Sequence, residues 1–111
     1  MKASVLHKFC TPPVFEEVDD PLCGPNSVVI DLKACGVCRS DHHAWSGNDP
    51  DVKLPHIMGH ELAGIIVETG SNIKKFSIGD PVTAPFILGC GLCSDCQTGN
   101  PTICDLSLIH I

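Results

Sequence analysis

The chain alternates short apolar runs with polar breaks rich in glycine and proline. Five runs have strand-like length and composition: 3–9 (ASVLHKF), 13–18 (PVFEEV), 27–34 (SVVIDLKA), 62–70 (LAGIIVETG) and 81–88 (PVTAPFIL). In the third run Val28, Ile30, Leu32 and Ala34 fall on one face, with Asp31 and Lys33 on the other, the alternation of a half-buried strand. The fourth is apolar on both faces from Leu62 to Val67, which predicts a central strand. Residues 71–80 (SNIKKFSIGD) read as a polar turn and connector, and residues 41–46 allow one or two helical turns after the third strand. No repeat, low-complexity segment or linker interrupts the pattern. A mainly β domain, sandwich or barrel, is expected.

Composition narrows this picture. With 111 residues, 43% hydrophobic and 18% charged, the chain can bury one core but not two. Four Phe, one Trp and no Tyr, against 10 Gly and 9 Pro, favour a turn-rich β architecture over a helical bundle. The net charge of −6, without any cluster of Lys and Arg, argues against a nucleic-acid partner. No apolar run is long enough to cross a bilayer, and the start MKASVLHKF lacks the features of a secretion signal. The expectation is a cytoplasmic protein with no membrane partner.

Eight cysteines then carry the chemistry. A reducing cytosol disfavours structural disulfides, so metal ligation is the default. The strongest signal is CGLCSDCQTGNPTIC, which spaces Cys90, Cys93, Cys96 and Cys104 as C-x2-C-x2-C-x7-C. Four thiolates in one glycine-punctuated loop suit a closed tetrahedral zinc site; reactive thiols and paired disulfides are the alternatives. A second fragment is weaker. Cys38 and His60 each stand beside a strand run, and GHELAG puts His60 and Glu61 at the entry to an apolar strand, where charge is costly unless it coordinates something. A solvent-exposed strand start accounts for the same pair equally well.

The ordered set GVCRSDHHAW, GHELAGIIVETGSNI, GDPV and CGLCSDCQTGNPTIC resembles the N-terminal catalytic part of the zinc-dependent medium-chain alcohol dehydrogenases, over nearly the whole chain to Asp105. The family's zinc motif is met by Gly59, His60, Glu61, Gly64, Gly70 and Ile73. The resemblance implies a GroES-like, partly open β-barrel with short helices and a structural zinc loop. It implies that Cys38 and His60 ligate a catalytic zinc, with Cys35 a bystander, Asp41 orienting the His60 ring, and Glu61 neighbouring the metal. The Cys2His character of that zinc is the family's known arrangement and comes from the resemblance, not from spacing. By the same resemblance Ser40 and His43 form a proton relay, Arg39 contacts the pyrophosphate of NAD or NADP, and Trp45 lines the substrate pocket. His7, His42 and His56 receive no role.

Two expected parts are missing. The third catalytic ligand and the Rossmann domain lie past the four-cysteine loop in this family, and no G-x-G-x-x-G occurs here. The implied parent oxidises small alcohols to aldehydes or ketones by hydride transfer to a nicotinamide cofactor, as a homodimer or homotetramer. This chain alone is expected to be inactive. Residues 1–105 are expected to form an incomplete GroES-like domain. Residues 106–111 (LSLIHI) are similar to a translated sequencing-library adapter, and a non-native tail is expected there. A non-catalytic zinc-binding structural or interaction module is the alternative. A thioredoxin-like dithiol at Cys35 and Cys38 is disfavoured, because residues 41–50 are too short and turn-rich for the long helix it needs.

Overall fold

The computed structural model describes residues 1–86 and 89–104. The expected tail at 106–111 and the end of the fifth apolar run lie outside the described residues. The protein is mainly β, as expected, and its described strands form two open three-stranded sheets rather than a closed barrel. In the first, β1 (Lys2–Leu6) lies between β2 (Val14–Glu17) and β4 (His56–Ile57), antiparallel to both. In the second, β5 (Glu61–Thr69) lies between β3 (Val28–Gly36) and β6 (Pro81–Thr83), again antiparallel. The apolar run from Leu62 does supply the central strand. β4 has only two residues, too few for any periodicity to announce it.

The β3–β5 ladder runs from Val28 opposite Thr69 to Gly36 opposite Glu61, with register shifts between Val29 and Ile30 and between Leu32 and Ala34. The first shift leaves Val67 of β5 as the extra residue and the second leaves Lys33 of β3, and each bends its own strand. The single-face burial expected along β3 does not hold beyond Ile30: Leu32 is 56% exposed, and Ala34, past the bulge at Lys33, is exposed too. At Gly64 the strands are so close that an added Cβ would sit 2.4 Å from the Asp31 carbonyl oxygen. β6 is shorter than its apolar run: pairing ends at Thr83, and Pro85 beyond it has no N–H to add to a ladder.

Helix α1 (Arg39–Ser46) follows β3 directly. Its start is fixed reciprocally: Cys38 Sγ accepts from the Ser40 N–H at 3.4 Å, and Asp41 Oδ2 accepts from the Cys38 N–H at 2.8 Å. Its end is fixed by Gly47 in the left-handed region (φ 77°), with the Phe9 ring against the missing side chain. The buried apolar core is small: Ala3, Val5, Leu6, Ala44, Ile66 and Cys104. Asp41 and Ala44 are the buried residues of α1, and its capped start holds Cys38 in a fixed place.

Candidate metal centres

The four-cysteine loop contains helix α2 (Ser94–Gln97) and a 3-10 turn (Pro101–Ile103), too little structure to bury a core of its own. What it brings together is sulfur. The Sγ atoms of Cys90, Cys93, Cys96 and Cys104 all lie within 4.8 Å of one another, and Cys93 and Cys104 are 3.9 Å apart. Zinc–sulfur bonds of about 2.3 Å at tetrahedral angles require sulfurs about 3.8 Å apart, whereas a disulfide needs about 2.05 Å. The donor set therefore fits one closed tetrahedral zinc.

Backbone N–H groups support the same sulfurs. Leu92 and Cys93 N–H donate to Cys90 Sγ at 3.4 and 3.3 Å, Cys96 N–H to Cys93 Sγ at 3.5 Å, and Cys90 N–H to Cys104 Sγ at 3.3 Å. Gly91 takes φ +72° to allow the first of these turns. Gly89 matters for space: a Cβ there would lie 2.8 Å from the Pro101 Cβ and 3.0 Å from Cys96 Sγ. The N–H groups of Leu92 and Cys93 draw the Cys90 thiol down to about 6. For Cys96 the Gly91 N–H also pulls down, but burial and the sulfurs of Cys93, Cys104 and Cys90 outweigh it and push the thiol up to about 12. One thiolate forms readily and the last resists, so a dication is what lets all four ionise together.

The second cluster joins the start of α1 to the turn before β5. Cys38 Sγ and His60 Nε2 are 3.2 Å apart, and His60 Nδ1 is 3.4 Å from Asp41 Oδ1. Sulfur and nitrogen bound tetrahedrally to one zinc would be about 3.5 Å apart, so this pair also fits. Asp41 is 7% exposed, and its other oxygen holds the Cys38 N–H. Each carboxylate oxygen has a task, and the His60 ring is left with Nε2 toward the sulfur. Gly59 has φ +107° and Cys35 Sγ against its Cα, so a side chain at 59 would displace the residue before His60.

The remaining sequence candidates divide. Glu61 is exposed and outside both clusters; its carboxylate covers Gly36, in the space a Cβ would occupy. Arg39 is exposed and has no ion pair among the described residues. Ser40 and His43 line a cavity of about 560 Å³ with Asp41 and His60 in the same wall. Trp45 does not line it. Its indole N–H donates to the Thr11 carbonyl at 2.8 Å and its own carbonyl accepts from the Cys10 N–H at 2.9 Å, so it ties α1 to the loop after β1. Phe86 and His56 do line the cavity, and the Phe86 ring centroid is 5.0 Å from that of His60. Neither is marked out by the sequence: Phe86 falls within an apolar run, and His56 stands in a strand of two residues, too short to recognise.

Residues 24–110 match the family described as the alcohol dehydrogenase GroES-like domain. The chain is 39% identical over 105 residues to alcohol dehydrogenase B of Mycobacterium tuberculosis, covering 95% of this chain and 28% of that protein. It is similar to the cobalt- and zinc-bound thermostable alcohol dehydrogenase from Pyrobaculum aerophilum (TM-score 0.85, 32% identity, 96% of this chain and 33% of that one). It is also similar to CAD from Helicobacter pylori complexed with NADP(H) (TM-score 0.77, 32% identity, 96% and 31%). The chain thus spans about three tenths of the length of proteins it matches.

Proposed function

Because the chain belongs to the alcohol dehydrogenase GroES-like domain family, we propose that it is the N-terminal catalytic segment of a zinc-dependent alcohol dehydrogenase that oxidises small alcohols to aldehydes or ketones. The observation that carries the reading is His60: Nε2 stands 3.2 Å from Cys38 Sγ while Asp41 holds Nδ1 from behind. A buried carboxylate orienting an imidazole toward a thiol is the support a metal ligand needs. Zinc held by Cys38 and His60 would supply the Lewis acidity that lets an alcohol ionise near neutral pH, and NAD or NADP would supply the hydride acceptor.

The chain's own residues do the rest. Ser40 is half-buried and His43 exposed, both on the cavity wall, so a proton passed from hydroxyl to imidazole moves outward to solvent. Arg39, at the exposed start of α1, offers its guanidinium to the cofactor pyrophosphate. Asp41 keeps the His60 tautomer and ring plane fixed, and the second zinc, on Cys90, Cys93, Cys96 and Cys104, is structural. Glu61 neighbours the metal without ligating it. The third catalytic ligand and the nucleotide-binding domain belong to a longer polypeptide, which assembles as a homodimer or homotetramer.

Zinc stoichiometry tests this. The isolated chain should keep one zinc through exhaustive dialysis and lose a second readily, because among the described residues the only further donor in the Cys38 and His60 cluster is Asp41, whose oxygens already hold the Cys38 N–H and face His60 Nδ1. Cys96→Ser should abolish the tight zinc. Two equally tight zincs would overturn the placement of the third ligand, and a chain that binds no zinc would overturn the family mechanism for this protein.

A further inference from the structure

In CGVC the dehydrogenase reading uses Cys38 and leaves Cys35 without a task. Cys35 joins neither the four-cysteine cluster nor the group of Cys38, Asp41 and His60. The residue is exposed, yet its sulfur has a defined place. The thiol donates to the Gly36 carbonyl at 3.5 Å, and the sulfur stands against Gly59, where an added Cβ would come within 2.9 Å of it. Gly59 immediately precedes His60 and has φ +107°. Glycine has more backbone freedom than any other residue, so the chain entering His60 depends on outside contacts for its direction. On the far side of His60, Glu61 pairs with Gly36 at the end of the β3–β5 ladder, and its carboxylate lies over that glycine.

From these contacts we infer that Cys35 is a positioning residue for His60. The end of β3 holds the residues on both sides of the imidazole, Gly59 through the Cys35 sulfur and Glu61 through Gly36, and so sets where Nε2 stands relative to Cys38 Sγ, 3.2 Å away. Asp41 orients the ring from behind, whereas Cys35 steadies the backbone that carries it. A thiol suits this place because it packs as a small apolar group, and its weak donor is already met by the Gly36 carbonyl. Metal ligands need their positions held to about 0.5 Å by the residues around them, and a contact at the preceding glycine acts on that scale. The role rests on Cys38 and His60 being metal ligands.

With zinc in the four-cysteine loop, cobalt(II) titrated into the second site tests this role. Affinity is read by competition with a graded chelator and the ligand set by thiolate-to-cobalt charge-transfer absorption, with Cys38→Ser as the blank. Cys35→Ala takes the sulfur off Gly59 and should weaken cobalt at Cys38 and His60 about tenfold, with the charge-transfer intensity per bound cobalt unchanged. Cys35→Thr restores an atom at the γ position without a thiol and should recover most of that loss. Zinc in the four-cysteine loop should be equally tight in all of these chains. An affinity in Cys35→Ala equal to wild type, equal weakening of both metal sites, or no recovery in Cys35→Thr overturns the positioning role. A fall in charge-transfer intensity in both variants would make Cys35 a ligand and overturns it as well. A wild-type chain that takes up no cobalt at Cys38 and His60 defeats the metal reading itself and the positioning role with it, an outcome distinct from a failure confined to Cys35.

Discussion

Asp41 shows how one side chain can serve structure and chemistry at once. One oxygen caps α1 through the Cys38 N–H at 2.8 Å, and the other faces His60 Nδ1 at 3.4 Å. Asp41→Asn retains shape and the cap acceptor but loses the charge behind the imidazole. It should weaken zinc at Cys38 and His60 about 10–100-fold while sparing the four-cysteine site, a difference readable by competition with a graded chelator. If both sites weaken alike, Asp41 acts on the fold and not on the ligand. Gly64 is a purely steric case. An added Cβ would meet the Asp31 carbonyl at 2.4 Å and the Ile30 Cγ2 at 2.6 Å, so Gly64→Ala should cost about 1–3 kcal/mol in urea unfolding of the zinc-loaded protein. A midpoint equal to wild type would mean that β3 and β5 separate freely there. Motif spacing had pointed to Gly64 without saying why it is glycine. The reason is the distance between two strands far apart in sequence.

Among the elements, the 89–104 loop is expected to need metal for its order and the β3–β5 ladder is not. The loop's two short helical turns place Cys104 in full burial and otherwise expose most of their surface. Structural zinc contributes an apparent roughly 10–16 kcal/mol in small zinc-binding peptides, enough to decide whether such a segment is ordered. Removing zinc with a strong chelator, or replacing Cys104 by Ser, should therefore erase amide protection over 89–104 in hydrogen exchange. The nine-residue strands β3 and β5 should keep theirs. Loss of protection across both regions together would mean that the loop and sheet form one cooperative unit. Sequence periodicity found most of these strands but overran β6 and missed β4. Periodicity carries no information on where a ladder ends, nor on a strand held by only two pairings.

At the scale of the whole molecule, the accessible surface is 8064 Å². A monomer of 11.8 kDa is expected to expose about 5,900 Å². The radius of gyration, 15.5 Å, exceeds the about 13 Å of a self-contained domain of this length. Phe15, Leu22, Val37, Ile78 and Leu92 are each more than half exposed. If these side chains form contiguous patches, they are surface on which a second copy or another protein could dock. The isolated chain should bind an apolar dye and self-associate in sedimentation, and it should turn over no alcohol with NAD or NADP. A dye-silent monomer would mean the surface is tolerated as it stands, and measurable turnover would show that the catalytic parts are complete.

The sequence by itself determined the mainly β class, the central position of β5, the four-cysteine set and the pairing of Cys38 with His60 as candidates. The first three follow from local patterning or from dense spacing, whereas the Cys38 and His60 pair, 22 residues apart, was legible only through the family resemblance. Only the tertiary structure decided the surroundings: Glu61 over Gly36, Trp45 tied to Thr11 instead of the cavity, and Phe86 and His56 beside the cluster. Each is a contact between segments separated along the chain. Which of them form is set by strand register, bulges and the direction of α1, and these are properties of the packed whole that no single stretch of sequence carries.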